Sequence, residues 1–195
     1  MVTATQKDQT APRRGAETRA AILAATREEL VEHGWRKFSV DKVSRRAKSS
    51  KQTIYRWWPA IATMCLDSLL ELIPAANLRS SDPVERIAAL LAPLEQTIRA
   101  SSGHAVFRAA MLAASDDDKA WEVWRAWLKD HVRTPLRLAL AEVAAKNQIR
   151  RDFDIDEAMD TLLGPLWTRV VVLRAPLPEG FAAQQATAVL RQQAP

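Results

Sequence analysis

The chain has 195 residues, 48% of them hydrophobic, with 28 Lys and Arg against 23 Asp and Glu for a formal net charge of +5; this composition excludes a disordered chain and suits one medium domain or two small ones. A single cysteine, Cys65, excludes an internal disulfide and a cysteine-rich zinc site, and between Met64 and Leu66 it reads as an apolar filler. No apolar run approaches the ~18–20 residues that span a bilayer, and Met1 to Arg14 lacks the apolar core of a signal peptide, so a soluble cytoplasmic protein with no membrane partner is expected.

The basic excess is confined to the first third. Residues 1–58 carry 13 Lys and Arg against 6 Asp and Glu, while the remainder carries 15 against 17. Such a concentration favours a polyphosphate partner, because each neutralised phosphate releases condensed counterions. Residues 1–15 hold almost nothing to bury and read as a disordered arm. Its basic end, Arg13 and Arg14, suits either the minor groove of DNA or a solubilising tail. A first helix over about Glu17 to His33 carries the stripe Ile22, Leu23, Thr26 and Leu30, with Gly34 as its stop. Ser39 is placed to cap a short second helix bearing Val40, Val43 and Ala47. Lys48-Ser49 makes the turn, Ser50 caps a third helix, and Pro59 ends it. Two short helices in this order, the second polar and basic at its start, fit a helix-turn-helix reading DNA.

The remainder reads as a second helical domain, residues 61–195, after a reading domain over 16–60. β-branched runs are few, and the fold class is all-α. A fourth helix is expected to Ile73, and a fifth from Asp82-Pro83, a cap followed by proline, with a kink at Pro93. A sixth spans about Gly103 to Ala114. Asp116-Asp117-Asp118 suits the positive end of a seventh helix better than a metal, since no His or Glu stands at ligand spacing. That helix carries Trp121, Trp124 and Trp127 and is expected to bend or break near Pro135. A charged loop over 148–154 precedes an eighth helix to about Arg174, broken or kinked at Gly164-Pro165, and a last helix opens at Leu177-Pro178.

Thr18-Arg19, Ile22-Leu23, Ala25, Gly34, Phe38-Ser39-Val40, Val43, Ala47, Ser50-Lys51, Thr53-Ile54-Tyr55-Arg56 and Trp58-Pro59 together resemble the DNA-binding domain of a TetR-family transcriptional regulator. Leu163-Gly164-Pro165-Leu166-Trp167 and Ala175-Pro176-Leu177 resemble one C-terminal subgroup of that family. The chain departs from the family pattern at Lys48, where a glycine usually takes a left-handed conformation, and at Ala60-Ile61, where a phosphate-contacting lysine often follows a small polar residue.

The resemblance implies a homodimer on a palindromic operator, an apolar pocket in the second domain, and a small-molecule effector that releases the DNA. It implies no cofactor and no catalysis. In the third helix, Lys51, Tyr55 and Trp57 are candidates for the phosphate backbone; a core role is the lesser alternative for Tyr55, and partial burial an equal one for Trp57. Gln52 and Thr53 are candidates for base edges, while Ser39, Lys48, Ser50 and Arg56 complete the expected DNA contacts. Aromatic walls suit flat or apolar ligands, so Phe107, Met111, Trp124, Trp127, His131 and Trp167 are the pocket candidates, against a core reading of the Trp row. The half-helix after Pro165 is apolar nearly all round, which places Leu166, Val170 and Leu173, with Phe181 and Val189, at the expected dimer interface. An all-α enzyme with a basic appendage and a nucleoid-type binder without effector are the alternatives. The first lacks any Ser/His/Asp, glycine-rich or metal-spaced cluster.

Overall fold

In a computed structural model, residues 10–145 and 154–192 are described, and the regular elements among them are all helical. The chain divides into two compact units, residues 1–71 with 109–121, and residues 72–108 with 122–195.

The first unit opens with α1 (Thr10–His33), α2 (Val40–Arg46), α3 (Lys51–Trp57) and α4 (Ile61–Leu70). Helix α1 starts well before Glu17, so residues 10–15 of the expected arm are helical, and residues 1–9 lie outside the described residues. Pro12 stands in its first turn, where a missing N–H costs no helical bond. The helix stops where Gly34 takes φ 64°, a left-handed value that glycine adopts without a Cβ penalty, and the Gly34 N–H donates to the Leu30 carbonyl at 3.0 Å. Ile22 and Leu23 of α1, Val43 of α2, Ile54 and Trp58 around α3, and Met64 of α4 share one buried core. Each such side chain contributes about 1.5–3 kcal/mol relative to exposure. Helix α4 packs along α1, so this unit runs past residue 60 to Glu71. Cys65 lies wholly inside it, and burial pushes its thiol pKa up, as suits an apolar filler.

Then follow α5 (Pro83–Arg99), α6 (Gly103–Ser115), α7 (Asp118–Leu128), α8 (Thr134–Ala145), α9 (Ile155–Trp167) and α10 (Phe181–Gln192). The Asp82 carboxylate accepts the Glu85 N–H at 2.9 Å, with Pro83 in the first turn of α5. Asp117 accepts the Ala120 N–H at 2.8 Å, so the aspartate run does serve as a cap. In the second unit α10 lies along α5, whose Glu95 carboxylate accepts the N–H groups of Phe181 and Ala182 at 3.1 and 2.9 Å. That anion stands at the positive end of α10, where the first N–H groups have no partner of their own.

Three expected boundaries are revised. Near Pro135, where a bend or break was expected, the chain stays helical: a π-helical stretch, Lys129–Arg133, joins α7 to α8, and Pro135 has helical residues on both sides. Helix α9 is not broken at Gly164-Pro165: burial of Leu162, Leu163 and Leu166 carries it through to Trp167, and a second π-turn, Thr168–Val172, follows. The last helix opens at Phe181 rather than at Leu177-Pro178, after Gly180 takes φ 69°. Most of the expected 148–154 loop lies outside the described residues, and Asp154 caps α9 by accepting from Asp156 and Glu157 N–H at 2.8 and 3.2 Å.

Candidate nucleic-acid interface

Helix α3 has one side fixed and one side open. Ile54 and Trp58 are buried, and Ser50 caps the helix by accepting the Thr53 N–H at 3.1 Å. The residues left outward, Lys51, Gln52, Tyr55 and Arg56, fall at i, i+1, i+4 and i+5 and so share a face. Tyr55 is 46% exposed, which removes its core role. Thr53 is half-buried and its hydroxyl meets that of Ser50 at 2.9 Å, leaving Gln52 as the more open of the two base-edge candidates. Trp57 is partly buried, packed edge-on against Trp58 at 5.6 Å.

The connection before α3 is closed by hydrogen bonds. Ser49 N–H donates to the Ser44 carbonyl at 3.0 Å, and the Ser44 hydroxyl donates to the Ser49 carbonyl at 2.6 Å. Lys48 sits between at φ 48°, in the left-handed region, with its side chain exposed. Ser39 occupies the N-cap of α2, but its hydroxyl makes no cap bond; the Lys42 and Val43 N–H groups go to its carbonyl instead. Ala60 likewise offers α4 no side-chain cap. Lys51 pairs with Asp41 of α2, so a phosphate must compete with that carboxylate. Arg14 is exposed on helical backbone rather than on a loose arm, and the Arg13 side chain lies outside the described residues.

Ion pairs lock α3 and α4 onto α1. The Asp67 carboxylate accepts from Trp58 Nε1 at 2.8 Å and from Arg19 at 3.3 Å, while the Arg19 guanidinium lies over the Trp58 ring at 5.5 Å. Arg27 donates to Glu71 at 2.9 Å. On the other side of α1, Glu29 is fully buried, with Arg46 at 3.5 Å, Lys42 at 3.8 Å and His33 at 3.2 Å. The Arg46 hydrogen bond holds the exposed Glu32 carboxyl below the usual carboxylate range. Sequence reading missed Glu29. Its one signal was position: it falls seven residues after Ile22 and three after Thr26, on the apolar stripe.

A reading helix on a buried two-helix support is shared by several DNA-binding classes, and the comparisons decide among them. A family model described as bacterial regulatory proteins, tetR family, matches residues 22–64, and one described as tetracyclin repressor-like, C-terminal domain, matches residues 82–189. The chain belongs to the TetR family. It is therefore a helix-turn-helix, DNA-binding transcriptional regulator, in a family of regulators rather than enzymes. An uncharacterized HTH-type transcriptional regulator of Bacillus subtilis, YdeS, is 30% identical over 159 residues, covering 80% of this chain and 79% of that one. Another from Mycobacterium tuberculosis, Rv1556, is 27% identical over 161 residues, covering 80% and 77%. The TetR family regulator SCO0332 shares the fold with a TM-score of 0.62 at 24% identity, covering 92% of this chain and 100% of that one. A TetR regulator from Haloarcula marismortui gives 0.68 at 18%, with the same coverage. Among the described residues, no helix is long and apolar enough to cross a membrane.

In this TetR-family chain the second unit gathers most of the aromatic candidates. Trp124 and Trp127 stack at 5.4 Å, His131 stacks on Trp127 at 5.0 Å, and Phe107 and Trp167 meet Trp124 at 6.2 and 5.5 Å. The Trp row does not share one environment: Trp121 is 40% exposed, Trp124 is buried and Trp127 is half-buried. A step of three residues turns a helix by about −60°, which is enough to carry Trp121 off the buried face. Met111 is buried, four residues after Phe107 on α6, in the part of that helix that belongs to the first unit. Of the expected interface residues, Leu166, Val170, Phe181 and Val189 are buried within the subunit itself. Only Leu173 is open, at 63% exposed, beside Val172 at 72%.

Proposed function

We propose that the chain is a cytoplasmic repressor that binds a palindromic operator as a homodimer and leaves it when a flat apolar or aromatic effector binds. The observation that carries this reading is the outward face of α3, where Lys51, Gln52, Tyr55 and Arg56 stand on buried Ile54 and Trp58. Gln52 reads a base edge, and Lys51, Tyr55, Lys48 and the Ser39 hydroxyl hold phosphates. The aromatic group around Trp127 and Trp167 receives the effector, whose binding biases the equilibrium between DNA-competent and incompetent states. Val172, Leu173 and the outer face of α10, with Ala183, Gln184, Thr187 and Ala188, face the partner subunit. The family assignment favours this regulator over an enzyme or a nucleoid binder.

Binding titrations on point variants separate the roles. Lys51→Ala weakens binding to all duplexes alike and flattens the salt dependence by about one unit per contact. Gln52→Ala relaxes preference at one base position, by about 1–3 kcal/mol. A Gln52→Ala protein that still selects the wild-type motif removes Gln52 from base reading. A compound that lowers DNA affinity must itself bind the DNA-bound protein more weakly by the same factor; equal affinity for both states would show that its site is not the regulatory one.

A further inference from the structure

The buried charge of Glu29 has no part in the face that meets DNA, and its surroundings are unusual. Both carboxylate oxygens are buried and neither has a hydrogen bond. A buried carboxylate without hydrogen bonds is costly unless opposite charge stands close to it. Here the compensating charge comes from α2: Arg46 at 3.5 Å and Lys42 at 3.8 Å. Arg46 is shared with Glu32 and, at 3.9 Å, with Glu28. His33 completes the group from α1. Lys42 Nζ lies 2.8 Å from His33 Nε2. An ammonium can only donate, so Nε2 must be the unprotonated acceptor and the ring proton sits on Nδ1. Nδ1 stands 3.2 Å from Glu29 and 3.7 Å from Glu32. Neutral imidazole thus fits between Lys42 and Glu29. Imidazolium does not, because its second proton would point at the Lys42 ammonium.

We propose that Glu29 is a positioning residue for DNA reading: its buried charge, shared by His33, Lys42 and Arg46, sets how α2 sits on α1, and protonation of His33 expels Lys42 and weakens DNA binding. The link to the reading face is short. Lys42 follows Asp41, which pairs with Lys51 at the start of α3. The groups facing His33 are Glu29 and Glu32 from its own helix and Lys42 from α2, with Arg46 and Glu28 at the edge of the group. The inference rests on the DNA-binding reading above.

The test measures affinity of the full chain for a duplex selected from a random pool, with a random-sequence duplex as control. Wild-type affinity falls about tenfold on acidification from about pH 8 to about pH 5.5. His33→Gln keeps one acceptor for Lys42 and one donor for Glu29 at every pH. It therefore holds the high-pH affinity throughout. Glu29→Leu removes the buried charge and leaves Lys42 and Arg46 without it, and loss of one partner of a buried ion pair is destabilising. This variant loses thermal stability, and at a temperature where it is still fully folded it binds the selected duplex about tenfold more weakly, the mark of lost positioning rather than lost folding. The proposal is overturned by a flat wild-type profile, by a His33→Gln profile that overlays the wild type, or by a folded Glu29→Leu protein with wild-type affinity. If Glu29→Leu does not fold, the His33→Gln profile decides alone. Failure of every protein to bind any duplex would instead sink the DNA-binding reading itself.

Discussion

At the scale of single residues, Lys48 combines a cost with a use. Its φ of 48° places a Cβ-bearing residue in the left-handed region, which costs about 1–2 kcal/mol relative to a relaxed backbone. Its exposed ammonium stands in the turn before α3, where a phosphate can meet it. Lys48→Gly is expected to raise thermal stability, by about 0.5–1 kcal/mol after glycine's own entropy is counted. The same variant should bind DNA more weakly, with a salt slope lower by about one unit per contact. Calorimetry and a salt titration on one preparation would check both, and a Lys48→Gly protein that gains stability with an unchanged salt slope would take Lys48 off the DNA. The left-handed position was legible in the sequence, because the turn pattern asks for glycine there. The burial of Glu29 was not, because it depends on Lys42 and Arg46 arriving from another helix. Nor was the Ser39 hydroxyl left out of its cap: composition identifies a capping residue, but backbone geometry decides whether the side chain is used.

At the scale of elements, punctuation was the reliable signal. Gly34, Ser50, Asp82 and Asp117 mark helix ends in the structure as their chemistry suggests. Prolines inside helices were read less well, since Pro165 forfeits one hydrogen bond but α9 recovers more by burying Leu162, Leu163 and Leu166. One connection allows no substitution. A Cβ on Gly103 would stand 1.6 Å from the Thr97 carbonyl oxygen, a backbone atom that cannot swing away. Gly103→Ala must therefore shift the turn between α5 and α6, and a loss of about 3 kcal/mol or more is expected in denaturant unfolding. An unchanged unfolding midpoint would show that the two helices approach less closely than this. The five interface candidates illustrate a limit of pattern reading. Apolarity all round a half-helix says that partners exist on every side, but not whether α10 or a second subunit supplies them.

For the whole molecule, the reading of function rests on how charge and exposure divide. The basic excess of residues 1–58 coincides with the helix-turn-helix, and the outward face of α3 is the part of that unit with base-reading chemistry. The family was legible from nineteen residues spaced over positions 18–59, whereas the proposed effector site was visible only as a set of aromatic residues. The structure brings Phe107, Trp124, Trp127, His131 and Trp167 together. Spacing on separate helices cannot reveal such grouping. The central claim is that one α3 per subunit reads half of a two-fold symmetric site. Selection of bound sequences from random duplex DNA with the purified full chain tests it most directly. The expected result is an inverted repeat whose half-site centres lie about 34–36 Å apart or a multiple of that. Enrichment of a single unrepeated motif, or equal retention of all duplexes, would contradict it.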